Sequence, residues 1–276
     1  MPLDPTRLFA LRIPPRPLTL SAKDAILYAL CCGARELPFL YEGNLSILPS
    51  FGQNLCFNDD WIPTADIELA KVVHGGLDLR FHRPMAPAER VEVKSRIAGV
   101  VDKGEGKPAL ILHVSDVEED GEVIFTSRSN LFVMQGGGFG GGRGEVFEAI
   151  SLPGRAPDLT AELVTDPHAP HYFRLLGDLN PLHILPEVAQ AAGFPRPIMH
   201  GANTFGMICH DIVARICGND VARLKRLTAR FSGPLYPGEH LEISYWREGE
   251  QDLFFKVRNP ERDMPVLDGG YAQLSM

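Results

Sequence analysis

Alternating apolar and polar residues fall in two blocks of the chain. In the first, residues 69–82 (LAKVVHGGLDLRFH), 90–101 (RVEVKSRIAGVV), 107–117 (KPALILHVSDV) and 122–134 (EVIFTSRSNLFVM) show the period of two expected of strands with one buried face. Asp102-Lys103-Gly104 and Glu119-Asp120-Gly121 join consecutive strands with hairpin chemistry, so these strands run antiparallel. Residues 221–232, 240–247, 252–258 and 264–275 form the second block. Between the two, Phe81, Pro84, Pro87, Glu89 and Val91 recur at one constant spacing as Phe231, Pro234, Pro237, Glu239 and Leu241. The repeat predicts an α+β chain of two antiparallel sheets, each carrying a helix.

Helical patterning is less even. Ser21 reads as an N-cap, followed by Asp24 in the first turn and by Ala25, Ile26, Leu27 and Leu30 on an apolar side, with Gly33 as the stop. Residues Gly201 to Ile216 form a clear helix with Phe205, Ile208, Ile212 and Ile216 on one face. Its counterpart in the first half, Leu45 to Asp66, is broken by Pro and Gly, and within it Leu45 to Asp60, interrupted by Pro49, Gly52, Asn54 and Asn58, reads as loop. A half-sheet without its helix leaves an apolar face open, which a long apolar ligand could cover. Residues 1–18 are rich in proline and are expected to wrap the surface.

Six of the seven residues from Gly136 to Gly142 are glycine, a composition that reads as a linker. The division is then 1–135, a linker at 136–150, and 151–276. A length of 276 residues suits two units at about 150 residues each. The stretch after the glycine run begins with another Gly and shows no βαβ context, so a nucleotide loop is disfavoured.

Composition narrows the classes. Hydrophobic residues make up 45% and charged residues 22%, ordinary for a globular chain. A net charge of −8 disfavours nucleic acid as a partner, since that binding rests on a basic surface. No apolar run approaches the ~20 residues of a membrane helix. The first residues lack a signal-peptide core and the last are not a peroxisomal address, so a cytosolic location is expected. Five cysteines without a Cys-x-x-Cys spacing suggest neither disulfides nor zinc; Cys209 and Cys217 fall in the apolar pattern as core thiols.

Chemistry concentrates between Phe173 and Ile216. Asp178 and His183 flank Pro181, and a turn there could bring a carboxylate and an imidazole around one water. Equally, Asp178 could cap a turn and His183 pack in the core. Asn180 adds a neutral donor, and Gly177 admits close backbone approach. His200-Gly201 opens a helix whose first N–H groups lack internal partners and favour negative charge. Such a donor could hold a thioester oxygen as it turns enolate-like, a contribution typically of ~3–4 kcal/mol.

The run FRLLGDLNPLH at 173–183, with Ala192-Gly193-Phe194 and Pro197-Ile198-Met199-His200-Gly201, resembles the signature of the MaoC-like hydratases. More closely, it resembles the (R)-specific 2-enoyl-CoA hydratase 2 module of peroxisomal multifunctional enzyme type 2. Further matches spread along nearly the whole chain: Tyr28-Ala-Leu, Tyr41-Glu42-Gly43, Leu48-Pro49-x-Phe51-Gly52, Val73-His74-Gly75, Asp102-Lys103-Gly104, the Gly-Phe-Gly-Gly run at 138–141, and Ala229-Arg230-Phe231. The resemblance implies a double hot-dog fold whose N-terminal half has lost its long helix to make room for an acyl chain. It implies Asp178 and His183 as the pair that activates water, Asn180 as its support, the Gly201 amide as the oxyanion donor, and Glu42 as a required glutamate. His74, Gly75, Lys103 and Phe231 match substrate or CoA contacts. Phe173 and Leu185 depart from the family, which has Tyr and Asp there.

The implied reaction is reversible syn hydration of trans-2-enoyl-CoA to (3R)-3-hydroxyacyl-CoA in fatty acyl-CoA metabolism, with no metal or other cofactor and a homodimer as the expected assembly. For the CoA phosphates, Lys103, Arg196, Lys225, Arg226 and Arg230 are candidates. The alternatives are a related thioester enzyme, a 3-hydroxyacyl dehydratase or thioesterase, and a non-catalytic acyl-CoA-binding subunit.

Overall fold

The computed structural model describes residues 2–275. Its strands are β1 (Arg16–Leu20), β2 (Val72–Phe81), β3 (Ala88–Asp102), β4 (Ala109–Glu119), β5 (Glu122–Val133), β6 (Gly142–Gly144), β7 (Leu159–Val164), β8 (Leu224–Phe231), β9 (His240–Glu248), β10 (Asp252–Asn259) and β11 (Met264–Leu274). Its α-helices are α1 (Pro5–Ala10), α2 (Ala22–Cys31), α3 (Phe51–Cys56), α4 (Trp61–Thr64), α5 (Ala169–Phe173), α6 (Pro186–Ala191) and α7 (Gly201–Arg215).

One sheet runs through the molecule in the order β1-β3-β4-β5-β2-β8-β11-β10-β9-β7, with β6 paired to β3. The order reads as two matching halves joined at β2 and β8, where Gly76 pairs with Arg230 and Leu79 with Leu227. The recurring Phe81 and Phe231 end these two central strands, so the sequence repeat is a structural repeat. All eight strands expected from alternation form, with ends shifted by at most three residues; β2 and β8 begin later because Leu69–Lys71 and Val221–Arg223 make 3₁₀ turns. Between β4 and β5, Asp120 and Gly121 both take positive φ (52° and 84°), the conformation of a tight hairpin matched to strand twist.

Helix α2 starts where expected, its Ser21 side chain accepting from the Asp24 N–H at 3.0 Å. Its inward face differs from the expected one. Tyr28 and Ala29 are buried whereas Leu30 is 45% exposed. The reason is α7, which packs closely enough that a Cβ on Gly206 would collide with Tyr28 and Cys32. Phe205, Ile208, Ile212 and Ile216 of α7 and its extension are buried as the pattern requires.

Three expectations change. The segment read as loop contains α3, and α4 follows it directly, short helices in place of the long one. The N-terminal residues are not all surface wrapping, because β1 pairs with β3 through Arg16↔Val93 and Leu18↔Val91. The apolar face read as open is covered: Trp61 and Ile62 of α4 and Leu8 of α1 pack on Ile97, Val100, Ile111 and Val133.

The glycine run is fastened to the body. The Asp102 carboxylate accepts from the N–H groups of Gly104 (2.7 Å), Gly138 (2.8 Å) and Gly140 (2.5 Å), which holds it below the usual carboxylate range. Gly142 then starts β6, and Gly99 opposite has no room for a side chain, since a Cβ there would strike the Glu145 carbonyl. All five cysteines are buried and free. Among the described residues, no helix is long and apolar enough to cross a membrane.

Candidate active site

The segment between α5 and α7 is a chain of tight turns, and the turns aim its side chains. Gly177 takes φ +119° at the end of a 3₁₀ turn, a backbone that a side chain would strain. Asn54 of α3 donates its amide to the Leu176 carbonyl at 2.9 Å, tying this loop to the N-terminal half. Asp178 accepts from the Asn180 N–H (3.2 Å), and Asn180 caps the next turn by accepting from the Leu182 N–H (3.0 Å). Asn180 therefore spends its side-chain oxygen on the turn, leaving its amide group for any solvent ligand. Pro181 locks the turn that delivers His183.

Asp178, His183 and His200 each present one donor atom within 4.8 Å of the others. His183 Nδ1 lies 2.9 Å from the Ile198 carbonyl. A carbonyl only accepts, so Nδ1 carries the proton and Nε2 is left with its lone pair. By the same logic His200 Nε2 donates to the Asp178 carbonyl at 3.3 Å, while His200 Nδ1 is buried without a partner. His200 is wedged between the ring of Phe173 (4.9 Å) and that of His183 (3.8 Å). Such a trio can hold one small ligand, a water or a cation.

The charge state follows from burial. Desolvation raises the Asp178 carboxyl above its ordinary range, opposed by His183 and the Asn180 N–H. Desolvation lowers His183, and pushes His200 down to about 3 with His183 adding to the effect. Both rings are neutral near pH 7, so His183 Nε2 is free to accept a proton. Asp59, on the loop before α4, is pushed up to about 6, first by burial and then by the charge of Asp178.

Gly201 is the first residue of α7, whose first internal bond is Thr204 N–H to His200 carbonyl. The N–H groups of 201–203 thus lack helical partners. A Cβ on Gly201 would lie 3.1 Å from the Phe231 ring. Phe231 in turn lies 5.1 Å from His74, whose neighbour Gly75 sits where β2 bulges against β5. Gly201, Phe231, His74 and Gly75 therefore gather at one end of the central strands. Lys103 is in the β3–β4 turn at that same end, exposed and without an ion pair among the described residues.

Glu42 is not drawn in by any recorded bond: it is exposed on the turn Glu42–Asn44, without a hydrogen bond or ion pair among the described residues. The other candidate cations are mostly engaged. Arg226 binds Asp78 and Glu148, Arg230 binds Asp268 (3.1 Å), and Arg196 donates to the Pro237 carbonyl (2.9 Å). Sequence reasoning missed His200 as a partner of the dyad, although its place before Gly201 hinted at it. It also missed Asp59, for which the sequence holds no signal.

Comparison with known proteins decides the family. Residues 18–135 match the MFE-2 hydratase 2 N-terminal domain and residues 148–268 the MaoC like domain. The enoyl-CoA hydratase ChsH3 of Mycobacterium tuberculosis is 36% identical over 98% of this chain and 98% of its own. The chain belongs to the MaoC-like hydratase family. A MaoC-like dehydratase from Phytophthora capsici superposes with a TM-score of 0.91 at 28% identity, over 99% of this chain and 98% of that one. A Mycobacterium tuberculosis protein described as having a double hotdog fold superposes at TM-score 0.60 and 16% identity, over 95% and 94% of the two chains. The two sheet-and-helix repeats joined at β2 and β8 are that double hot-dog architecture.

Proposed function

We propose that this enzyme is an (R)-specific enoyl-CoA hydratase of fatty acyl-CoA metabolism. The observation that carries the reading is the convergence of Asp178 and the bare Nε2 of His183 beside the unpaired N–H of Gly201.

Gly201 N–H holds the thioester oxygen as negative charge builds there, which makes C3 electrophilic. Water held between Asp178 and His183 loses a proton as its oxygen bonds to C3. The protonated pair then returns a proton to C2 on the same face, giving the (3R)-3-hydroxyacyl thioester. The reverse sequence is dehydration. Asn180 steadies the water through its amide, and Glu42 is kept as a required acid of the family. His74, Gly75 and Phe231 line the thioester end and Lys103 faces the CoA phosphates. No metal or redox partner takes part in these steps.

A homodimer suits the open edges at β1 and β7. Five unpaired thiols suit a reducing, cytosolic compartment. The test is crotonyl-CoA and longer trans-2-enoyl-CoAs with chiral analysis of the product. Loss of the enoyl absorbance without free thiol, yielding the 3R alcohol, is expected; thiol release without hydration would mean a thioesterase instead.

A further inference from the structure

Beyond the thioester end, a line of side chains leads into the N-terminal half. Phe231 touches His74, and His74 of β2 and His113 of β4 flank β5 on one face of the sheet, opposite Leu131 and Ser129 two positions apart. His113 stacks on Trp61 of α4, with centroids 5.2 Å apart and planes 19° apart. His113 is 6% exposed and Trp61 4%. Nε2 of His74 and Nε2 of His113 are both sealed from solvent, and neither has a hydrogen-bond partner. Buried polar atoms are nearly always paired. Two orphans on neighbouring imidazoles therefore mark a place for a polar ligand atom.

The chemistry of that atom follows from the rings. Burial pushes both His74 and His113 down to about 4, so both are neutral near pH 7. A neutral imidazole offers one N–H and one lone pair. That suits a hydroxyl, which can donate to one nitrogen and accept from the other, but does not offset the charge of a carboxylate. Arg16, the cation that acts on His113, already gives its guanidinium to the Leu55 and Phe57 carbonyls at 2.9 and 3.0 Å.

We propose that His74 and His113 form the specificity-determining end of the acyl site and select acyl-CoA substrates whose chain carries a neutral oxygen function. The thioester end of this site rests on the hydratase reading; the pair itself does not need it. A plain alkyl chain reaching the pair leaves both nitrogens unmatched, and an ω-carboxyl chain brings a charge that nothing there answers.

Calorimetric titration of the full chain with saturated thioesters tests this without turnover. Decanoyl-CoA is compared with its ω-carboxyl analogue and with hydroxydecanoyl-CoAs whose hydroxyl moves from mid-chain to the end. One hydroxyl position is expected to bind at least about ten-fold tighter than decanoyl-CoA. His113→Phe removes that advantage, whereas His113→Gln, which keeps a donor and an acceptor, retains most of it; thermal melts verify that both variants fold. Equal binding of all chains, a preference for the carboxyl chain, or an advantage that survives His113→Phe overturns the proposal. Crotonyl-CoA hydration on the same preparation reports on the reaction separately. Its absence alongside an intact hydroxyl preference sinks the hydratase reading alone, and hydration without the preference sinks the acyl-site proposal alone.

Discussion

The imidazoles of His183 and His200 lie stacked, with ring centroids 3.8 Å apart and planes 29° apart. Each is tied by one nitrogen to a backbone carbonyl, His183 to Ile198 and His200 to Asp178. The stack therefore fixes the ring that carries the free Nε2 and the loop that carries the carboxylate at the same time. Burial away from water is the main reason both stay neutral, and for His200 the neighbouring His183 adds to it.

Asp178→Asn keeps the size of the side chain and removes its ability to carry a proton. The expected loss in kcat is about 10²- to 10⁴-fold, the usual range for a positioned acid or base, with KM little changed. Steady-state kinetics on crotonyl-CoA measures it; full turnover by the variant would remove Asp178 from the mechanism.

Acid should destabilise this protein before it reaches the ordinary carboxylate range. His74, His113 and His200 titrate at about 4, 4 and 3 in the folded chain against the ordinary 6.5. Their folded values are depressed, so the unfolded chain binds more protons in this window. The stability they carry is complete above 6.5 and is lost as pH falls toward 4. Near pH 5 the loss is roughly 2 kcal/mol per buried histidine. Melting temperature against pH should fall through this window, and more shallowly for His113→Gln.

Asp78 of β2 joins the two halves. It is 4% exposed, receives Arg226 of β8 at 2.7 and 3.1 Å, and lies 3.5 Å from Arg128 and 3.8 Å from Arg80. Removing this buried anion leaves Arg226 and Arg128 with only the exposed Glu148 and Glu145 as partners. Asp78→Asn should cost about 3 kcal/mol in urea unfolding, because a buried ion cluster loses the partner that justified its desolvation. A change under about 0.5 kcal/mol would show that the Arg side chains relax into solvent instead.

Gly99→Ala should unseat β6. The added methyl would strike the Glu145 carbonyl, a backbone atom that cannot swing aside as a side chain would. A loss of about 1–3 kcal/mol is expected, typical of overpacking. Hydrogen exchange should show it first at the amides of Gly142 and Glu145, which pair with or bond to β3.

Much of the architecture was legible along the chain, because it rests on local rules. Alternation located eight strands, Asp120-Gly121 announced its hairpin, and the apolar face from Phe205 to Ile216 located α7. The recurrence of Phe81 as Phe231 announced two equivalent halves. Asp178, His183 and Gly201 were legible through the motif they share with the MaoC-like hydratases, since a turn of that composition can hardly be anything but a turn.

What escaped the sequence depends on partners far away in it. β1 and β6 are strands only because β3 offers them an edge. Leu30 turns outward because α7 takes the space that a periodic reading assigns to it. Trp61 covers a face that composition left open, since a single four-residue turn of helix needs a surface to lie on before it forms. His200 joined the dyad, and His74 met His113, only through stacking and burial. The sequence by itself determined the elements, their repeat and the candidate reacting groups, through local periodicity, turn chemistry and a shared motif; the tertiary structure alone decided which imidazoles are neutral, which are paired, and which are left waiting for a partner, because desolvation is a property of the packed whole.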